Sequence, residues 1–132
     1  MKVSIKEHDI HLVTTFRTTH CASDSKRALI IDIDGGLGEA APVHYYGENT
    51  ETVKDFVGKA SKVLGDDPFQ IESISEKLDR VAALNYSAKA AIDVALHDLV
   101  GKRLGIPIHK YFGITPREDL ATSFTISISD PE

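Results

Sequence analysis

Six histidines and one cysteine are the side chains of this sequence with the widest range of chemistry. His8 and His11 lie an odd number of positions apart on a predicted strand, so they point to opposite faces and form no metal pair. Asp93 and His97 lie one helical turn apart, and a hydrogen bond is the expected contact because no further metal ligand is near. Cys21 needs a neighbouring cation to act as a nucleophile, and we predict a plain loop thiol there.

The sequence motifs of the common catalytic sites are absent. The chain contains no phosphate-binding P-loop, no His-Glu-x-x-His, no Cys-x-x-Cys and no Gly-x-Ser-x-Gly. The glycine-rich segment 35–38 joins two predicted strands and opens no helix, so we interpret it as a hairpin turn rather than a dinucleotide site. One candidate remains, because Thr125 belongs to a row of hydroxyl side chains on a predicted strand. In a sheet with one face in water this row would simply face the solvent, whereas in a parallel barrel, where both faces are covered, small hydroxyls near the end of a strand could line a ligand cavity.

The composition excludes several classes of function. With 15 Lys and Arg against 20 Asp and Glu, the net charge is −5, and this acidic balance without a basic stripe argues against nucleic-acid binding. No segment reaches the ~18 apolar residues of a membrane span, and the N-terminus lacks the apolar core of a signal peptide. A single cysteine fits a reducing compartment, so the cytoplasm is the expected location. A complete (β/α)₈ barrel needs about 250 residues, so only one smaller domain fits.

Hydrophobic periodicity predicts an antiparallel meander of strands at the start of the chain. Alternation over residues 3–13 predicts the first strand, with an irregularity near residues 8–9. The polar stretch 14–26 is predicted as a loop that is long enough to serve a function. A β-branched second strand at 28–34 then leads through a Gly35-Gly36 turn into a third strand at 37–41.

Helical periodicity follows in the second half of the chain. Asn49 or Thr50 is expected to cap a first helix that ends before Gly65. Asp67-Pro68 is a start signal for a second helix, and Ser87 is expected to cap a third. The predicted ranges of the second, third and a short fourth helix, and of one last strand, are 68–84, 88–104, 107–112 and 120–129.

Four segments occur in an order that resembles a known domain. They are the strand meander, the Gly-Glu-Ala-x-Pro segment at 38–42, the helix sequence at 87–98, and Gly-Ile-Pro-Ile at 105–108 before Tyr-Phe-Gly. Together they resemble the N-terminal capping domain of the enolase superfamily over nearly all of the chain, and the muconate-lactonizing subgroup most closely. Segment 122–128 is similar to the first barrel strand of dipeptide epimerases.

The resemblance implies an α+β fold, in which an antiparallel three-stranded meander is followed by a helical bundle. The capping domain would span residues 1–115, and residues 116–132 would form a linker and the first strand of a (β/α) barrel that is otherwise absent. In the superfamily the barrel removes a proton α to a carboxylate, and Mg²⁺ stabilises the enediolate. Bases and metal ligands lie on later barrel strands, so the resemblance implies that this stretch contains no catalytic residue and no metal ligand and is inactive alone.

For substrate binding, the resemblance indicates the polar loop and the last strand. Thr125 matches the threonine that dipeptide epimerases use on the substrate, and Arg17, His20 and Cys21 belong to the matching specificity loop at 16–25. Cys21 stands where the Ala-Glu enzymes place an arginine for the acidic side chain. Another dipeptide or an N-acyl amino acid is therefore as plausible a substrate as a glutamate dipeptide.

The implied function is the substrate-specificity part of a Mg²⁺-dependent isomerase, with a dipeptide epimerase as the first choice. A muconate cycloisomerase or an o-succinylbenzoate synthase is the alternative within the superfamily. A non-catalytic α+β domain that binds a partner through its final strand is the alternative outside it. The expected partners are a small carboxylate substrate, the barrel domain and further copies in a homo-oligomer, with neither nucleic acid nor membrane.

Overall fold

A computed structural model describes residues 1–17, 19 and 22–124. Within this part of the chain one antiparallel sheet has the strand order β1-β2-β3, namely β1 (Val3–Arg17), β2 (Ala22–Ile33) and β3 (Gly36–Ala40). The helices that follow are α1 (Thr50–Ala60), α2 (Ile71–Val81), α3 (Tyr86–Leu104) and α4 (Ile108–Tyr111). The predicted α+β class, a three-stranded meander followed by helices, is confirmed.

The hydrophobic core lies between one face of the sheet and the helices. Leu29, Ile31 and Ile33 of β2 are fully buried in it. α3 contributes small and branched side chains at helical spacing, namely Ala88, Ala91, Ile92, Ala95, Leu96 and Leu99. Because burial of apolar surface is the largest favourable contribution to folding, this contact between α3 and the sheet carries much of the stability.

The backbone of α3 lies directly on β3. A Cβ atom on Gly36 would be 2.2 Å from the carbonyl oxygen of Ala95, and one on Gly38 would be 1.9 Å from that of Ala91. Both distances are well below van der Waals contact, so only glycine fits at these two positions. The two glycines therefore set how closely the helix approaches the sheet.

Polar contacts join α3 to the same strand. The Asp98 carboxylate accepts the Leu37 N–H at 2.8 Å and a Lys102 N–H at 2.5 Å, and Lys102 also donates to the Gly35 carbonyl at 2.7 Å. Burial raises the pKa of Asp98, but the hydrogen bonds from Lys102 and Leu37 outweigh it and hold this pKa below its usual value. The edge of β3 and the preceding turn are thus both bonded to one turn of α3.

A carboxylate from a loop caps the N-terminus of α3. Glu48 is buried and accepts the backbone N–H of Tyr86 at 2.6 Å and that of Ser87 at 3.2 Å. A negative charge at this end satisfies free N–H groups and interacts favourably with the helix dipole. The prediction that Ser87 caps the helix was wrong, and its buried hydroxyl has no hydrogen-bond partner among the residues described.

α1 and α2 are shorter than predicted, because residues predicted at the end of α1 and at the start of α2 form turns. Of the two predicted caps of α1, Asn49 and Thr50, the structure has Asn49, which forms a capping box with Thr52. α1 ends at Ala60, however, and α2 begins only at Ile71 and ends at Val81. The Asp67 carboxylate accepts the Phe69 N–H, so the Asp-Pro segment forms a turn instead of the first turn of the helix.

The predicted loop at residues 14–26 was wrong, because β1 continues to Arg17 and β2 starts at Ala22. None of the described residues in this stretch is buried, so an alternating apolar pattern is not required and periodicity does not report the strands. The register shift lies between His11 and Phe16, not at residues 8–9.

Two further strand predictions also need correction. The hairpin turn is Asp34-Gly35, with φ of 49° and 91°, because Gly36 already belongs to β3 and contacts α3. Residues 120–124 form no strand, and the remainder of the predicted last strand, 125–129, lies outside the described residues.

The contact between α3 and β3 predicts opposite effects of alanine at two glycines. Gly38→Ala should lower the free energy of unfolding by about 2–3 kcal/mol, because the new methyl group displaces the Ala91 carbonyl. Gly58→Ala is the matched control, since this glycine is exposed in α1 with open space around its Cβ, and it should stabilise by about 0.5–1 kcal/mol. Urea unfolding measures both, and a neutral Gly38→Ala would contradict the close contact.

The contacts of Asp98 predict a pH-dependent contribution. Because its folded-state pKa lies below the ordinary 3.8, the stabilisation is complete above that pH and is lost as the pH falls through the folded-state value. Asp98→Asn should therefore cost about 1 kcal/mol at pH 7, and the difference from wild type should narrow in strong acid. Urea unfolding at several pH values measures it. Asp55→Asn, which removes an exposed pair with Lys59, should cost less at pH 7.

Candidate functional site

A two-stranded ribbon projects beyond the core and carries the candidate site. We define the arm as residues 9–27, of which 9–17, 19 and 22–27 are described. No described residue of the arm is buried, and the first buried residue of β2 is Ala28. The arm is therefore held by strand pairing and by contacts of its own side chains, as is typical of segments that serve binding rather than folding.

A bulge changes the course of the arm halfway along. Between the pairs His11–Ser25 and Phe16–Ser23, the four residues 12–15 of β1 face only Asp24 of β2. The hydroxyl of Thr15 donates a hydrogen bond to the Asp24 carboxylate and so fixes this irregular stretch. Bulges of this kind re-aim side chains next to binding sites.

The bulge creates a small cavity of about 290 Å³ on the arm. Its lining consists of Leu12, Val13, Thr14, Phe16 and Lys26. The Lys26 ammonium lies 5.9 Å from the centre of the Phe16 ring, a cation–π distance. The cavity therefore combines an apolar wall with one cation, a chemistry that suits a side chain or carboxylate of a small ligand.

The base of the arm is an ion pair. Asp9 and Arg27 are cross-strand partners, and the guanidinium donates to both carboxylate oxygens at 2.8 and 3.4 Å. This hydrogen bond lowers the pKa of Asp9 and raises that of Arg27, so both groups stay charged across the physiological range.

The structure describes only one of the residues that the sequence indicates for substrate binding. Arg17 is the exposed last residue of β1, is paired with Ala22 and follows Phe16 at the cavity. His20, Cys21 and Thr125 lie outside the described residues. Their roles in substrate binding stay predictions.

Sequence reasoning missed two groups of side chains. Lys26 was not singled out, because a lysine in a polar stretch carries no signal until the fold brings it over Phe16. Tyr45 and Tyr46 were also missed. Both are exposed, and their rings pack edge to face with centroids 5.4 Å apart. The signal that could have found them is two adjacent aromatic residues in a polar connection.

A second, larger cavity of about 630 Å³ lies between α3 and α4. His97 lines it, and its ring packs on Phe112 at 5.2 Å between centroids. Nδ1 of His97 lies 2.9 Å from the Asp93 carbonyl oxygen and 3.4 Å from its carboxylate, so the two residues meet as expected, but the hydrogen bond is to the backbone. With that nitrogen engaged and mainly apolar walls around it, this cavity offers packing surface rather than catalytic chemistry.

Metal binding and membrane insertion have no counterpart in the described part of the chain. No three His, Cys, Asp or Glu side chains among residues 1–17, 19 and 22–124 are arranged to hold a metal ion. The magnesium ion that the resemblance implies therefore does not fit any described residues, and we assign it to none of them. Among the same residues, no helix has both the length and the apolar character of a membrane span.

A helix-backed meander with a projecting arm defines a class of α+β domain, and comparison with known proteins identifies which one. The chain belongs to the family described as mandelate racemase / muconate lactonizing enzyme, N-terminal domain, whose model matches residues 2–113. Among curated relatives, L-Ala-D/L-Glu epimerase of Bacteroides thetaiotaomicron is 43% identical over 74% of this chain and 25% of its own length. The L-Ala-D/L-Glu epimerase of Clostridium acetobutylicum is 37% identical over 90% of this chain and 34% of its own length.

Solved structures give the same result. A dipeptide epimerase from Methylococcus capsulatus, complexed with Mg and the dipeptide L-Arg-D-Lys, has a TM-score of 0.84 at 26% identity and covers 97% of this chain. A 2-chloromuconate cycloisomerase from Rhodococcus opacus has a TM-score of 0.79 at 28% identity and covers 89%. This chain covers 38% and 34% of those two structures, so it spans only about a quarter to two fifths of the relatives that it matches.

Proposed function

We propose that this chain is the substrate-specificity part of a Mg²⁺-dependent dipeptide epimerase. The observation that supports this most is the 43% identity to a relative named L-Ala-D/L-Glu epimerase. The reaction removes a proton from the carbon α to a carboxylate and returns a proton to the opposite face. The bases and the metal ligands would belong to barrel polypeptide beyond the stretch that this chain shares with its relatives.

In this proposal residues 1–115 cap the barrel and residues 116–132 lead into it. The arm closes the mouth of the pocket and selects the substrate side chain. Arg17 is suited to a carboxylate because a guanidinium can donate two parallel hydrogen bonds. The Phe16 ring and Lys26 form an apolar wall and a cation in the arm cavity, which is lined from the other face of the strand than Arg17. His20 and Cys21 would contact the side chain of the substrate, and Thr125 its backbone.

A cytoplasmic homo-oligomer is the form that we propose for the whole enzyme. The single cysteine fits the reducing cytoplasm. The exposed cavity wall between α3 and α4 gives the barrel or a further copy an apolar surface to cover.

A cycloisomerase is the second candidate, and the similarity to 2-chloromuconate cycloisomerase favours it. That activity also starts from a small carboxylate, so the two candidates differ in what the arm must accommodate. A dipeptide presents an extended amide and a side chain, whereas a muconate is a short dianion. Substrate screening of an active enzyme separates the two.

A chimera tests the proposed function. Residues 1–113 of this chain replace the corresponding part of the Bacteroides relative, whose 43% identity makes the domain contact compatible. The chimera should epimerise at least one dipeptide in the presence of Mg²⁺. The 132-residue chain alone should give no α-proton exchange with L-Ala-L-Glu in deuterated water. Exchange by the chain alone, or a folded chimera without turnover of any dipeptide, contradicts the proposal.

The same chimera tests the role of Cys21. Cys21→Arg should raise kcat/KM for L-Ala-L-Glu relative to L-Ala-L-Leu by about tenfold, because a guanidinium pairs with the added carboxylate. Cys21→Leu is the control, since it changes size without adding charge and should not favour the acidic dipeptide. Equal effects of both substitutions would exclude position 21 from the specificity site.

A further inference from the structure

The arm has no core beneath it, yet charged side chains connect its base to the body of the domain. A two-stranded ribbon alone is only marginally stable in water. Its direction relative to the domain must therefore be fixed by side-chain contacts in addition to the hydrogen bonds between its two strands. In the described part of the arm, no residue from 9 onwards is buried until Ala28. The contacts at the base therefore decide where the tip lies.

The first link of this connection joins the two strands. Arg27 on β2 donates to Asp9 on β1 at 2.8 and 3.4 Å, and its Nε also lies 4.0 Å from the Glu7 carboxylate. Two donors on one carboxylate fix both distance and orientation, unlike a single contact with a flexible lysine.

The second link crosses from the sheet to a helix. Glu7 pairs with Lys54 of α1 at 2.5 Å, and Lys54 also pairs with Glu51 at 3.1 Å. The hydrogen bonds from Lys54 to Glu7 and then to Glu51 raise the pKa of Lys54. The side chains of Lys54 and Glu7 are 38% and 37% exposed, so salt in the solvent screens and weakens this pair.

We propose that Glu7, Asp9, Arg27 and Lys54 form a clasp that fixes the direction of the arm relative to α1. Arg27 is the positioning residue, since it contacts carboxylates on both sides of the point where the arm leaves the core. The clasp then places Arg17 and the arm cavity at a defined distance from the domain body. This last step rests on the proposed function, whereas the clasp itself does not.

Amide hydrogen exchange on the 132-residue protein tests the clasp. Arg27→Ala and Lys54→Ala should each accelerate exchange of the arm amides at residues 10–11 and 24–26 by about two- to fivefold. Amides shared by β2 and β3 should not change. Lys59→Ala is the matched control, because Lys59 pairs with Asp55 within α1 at 2.6 Å and does not touch the arm. Unchanged arm exchange, or an equal effect of Lys59→Ala, overturns the clasp.

One further measurement reports on the direction of the arm rather than on its local stability. Spin labels on Cys21 and on a Ser73→Cys variant give a distance distribution between arm and α2, which should broaden in Arg27→Ala and in wild type at high salt. Lys59→Ala, which removes only the pair with Asp55 within α1, should leave the distribution unchanged. A distribution that neither Arg27→Ala nor high salt broadens contradicts the clasp.

In the chimera, Arg27→Ala should raise KM and leave kcat unchanged, because the arm selects substrate but moves no proton. Arg27→Lys keeps the positive charge but loses the paired donors. Its KM should therefore lie between the values of the unsubstituted chimera and of Arg27→Ala. If Arg27→Ala lowers kcat and leaves KM unchanged, Arg27 is not a positioning residue. An inactive chimera with altered arm exchange would count against the proposed function and leave the clasp standing.

Discussion

The backbone contact between α3 and β3 is the constraint on which the rest of this structure depends. At Gly36 and Gly38 the helix approaches so closely that a single methyl group on either residue would overlap a helix carbonyl. This distance places Asp98 within reach of the Leu37 N–H, and Lys102 within reach of the turn before β3. α3, the edge of β3 and the turn before it are consequently held together. Because β2 is hydrogen-bonded to β3, its position relative to α3 is fixed as well.

The arm is stabilised in a different way from the sheet end that packs on α3. It continues the ladder of β1 and β2 but leaves the core, so its stability comes from backbone pairing, the bulge and surface charges. Such contacts are individually weak and sensitive to salt. One sheet thus has a rigid end held by buried packing and an adjustable end held by ion pairs.

The sequence predicts those elements whose signal is local or buried. The cap of α1 is predicted to within one residue because the capping box lies within four residues, and β2 is predicted because its β-branched side chains fill the core. The strands of the arm escape prediction because neither face is buried. The capping role of Glu48 is not predicted, because this residue lies in a distant loop and the sequence next to α3 carries no signal for it. The candidate site lies on unburied strands and depends on contacts between residues that are distant in sequence. Arg17 is therefore indicated only by resemblance, and Lys26 only by the fold.

Separating stability from selectivity has a consequence for how specificity can change. Substitutions at the described positions of the arm should cost little folding free energy because none of these residues is buried, whereas substitutions at Gly36 or Gly38 affect the whole domain. Relatives with the same fold were solved with Mg and L-Arg-D-Lys in one case and are named chloromuconate cycloisomerase in another. On the proposed function, an arm that can change without loss of stability allows one scaffold to serve different substrates, since only the contacts of the arm with substrate need to change.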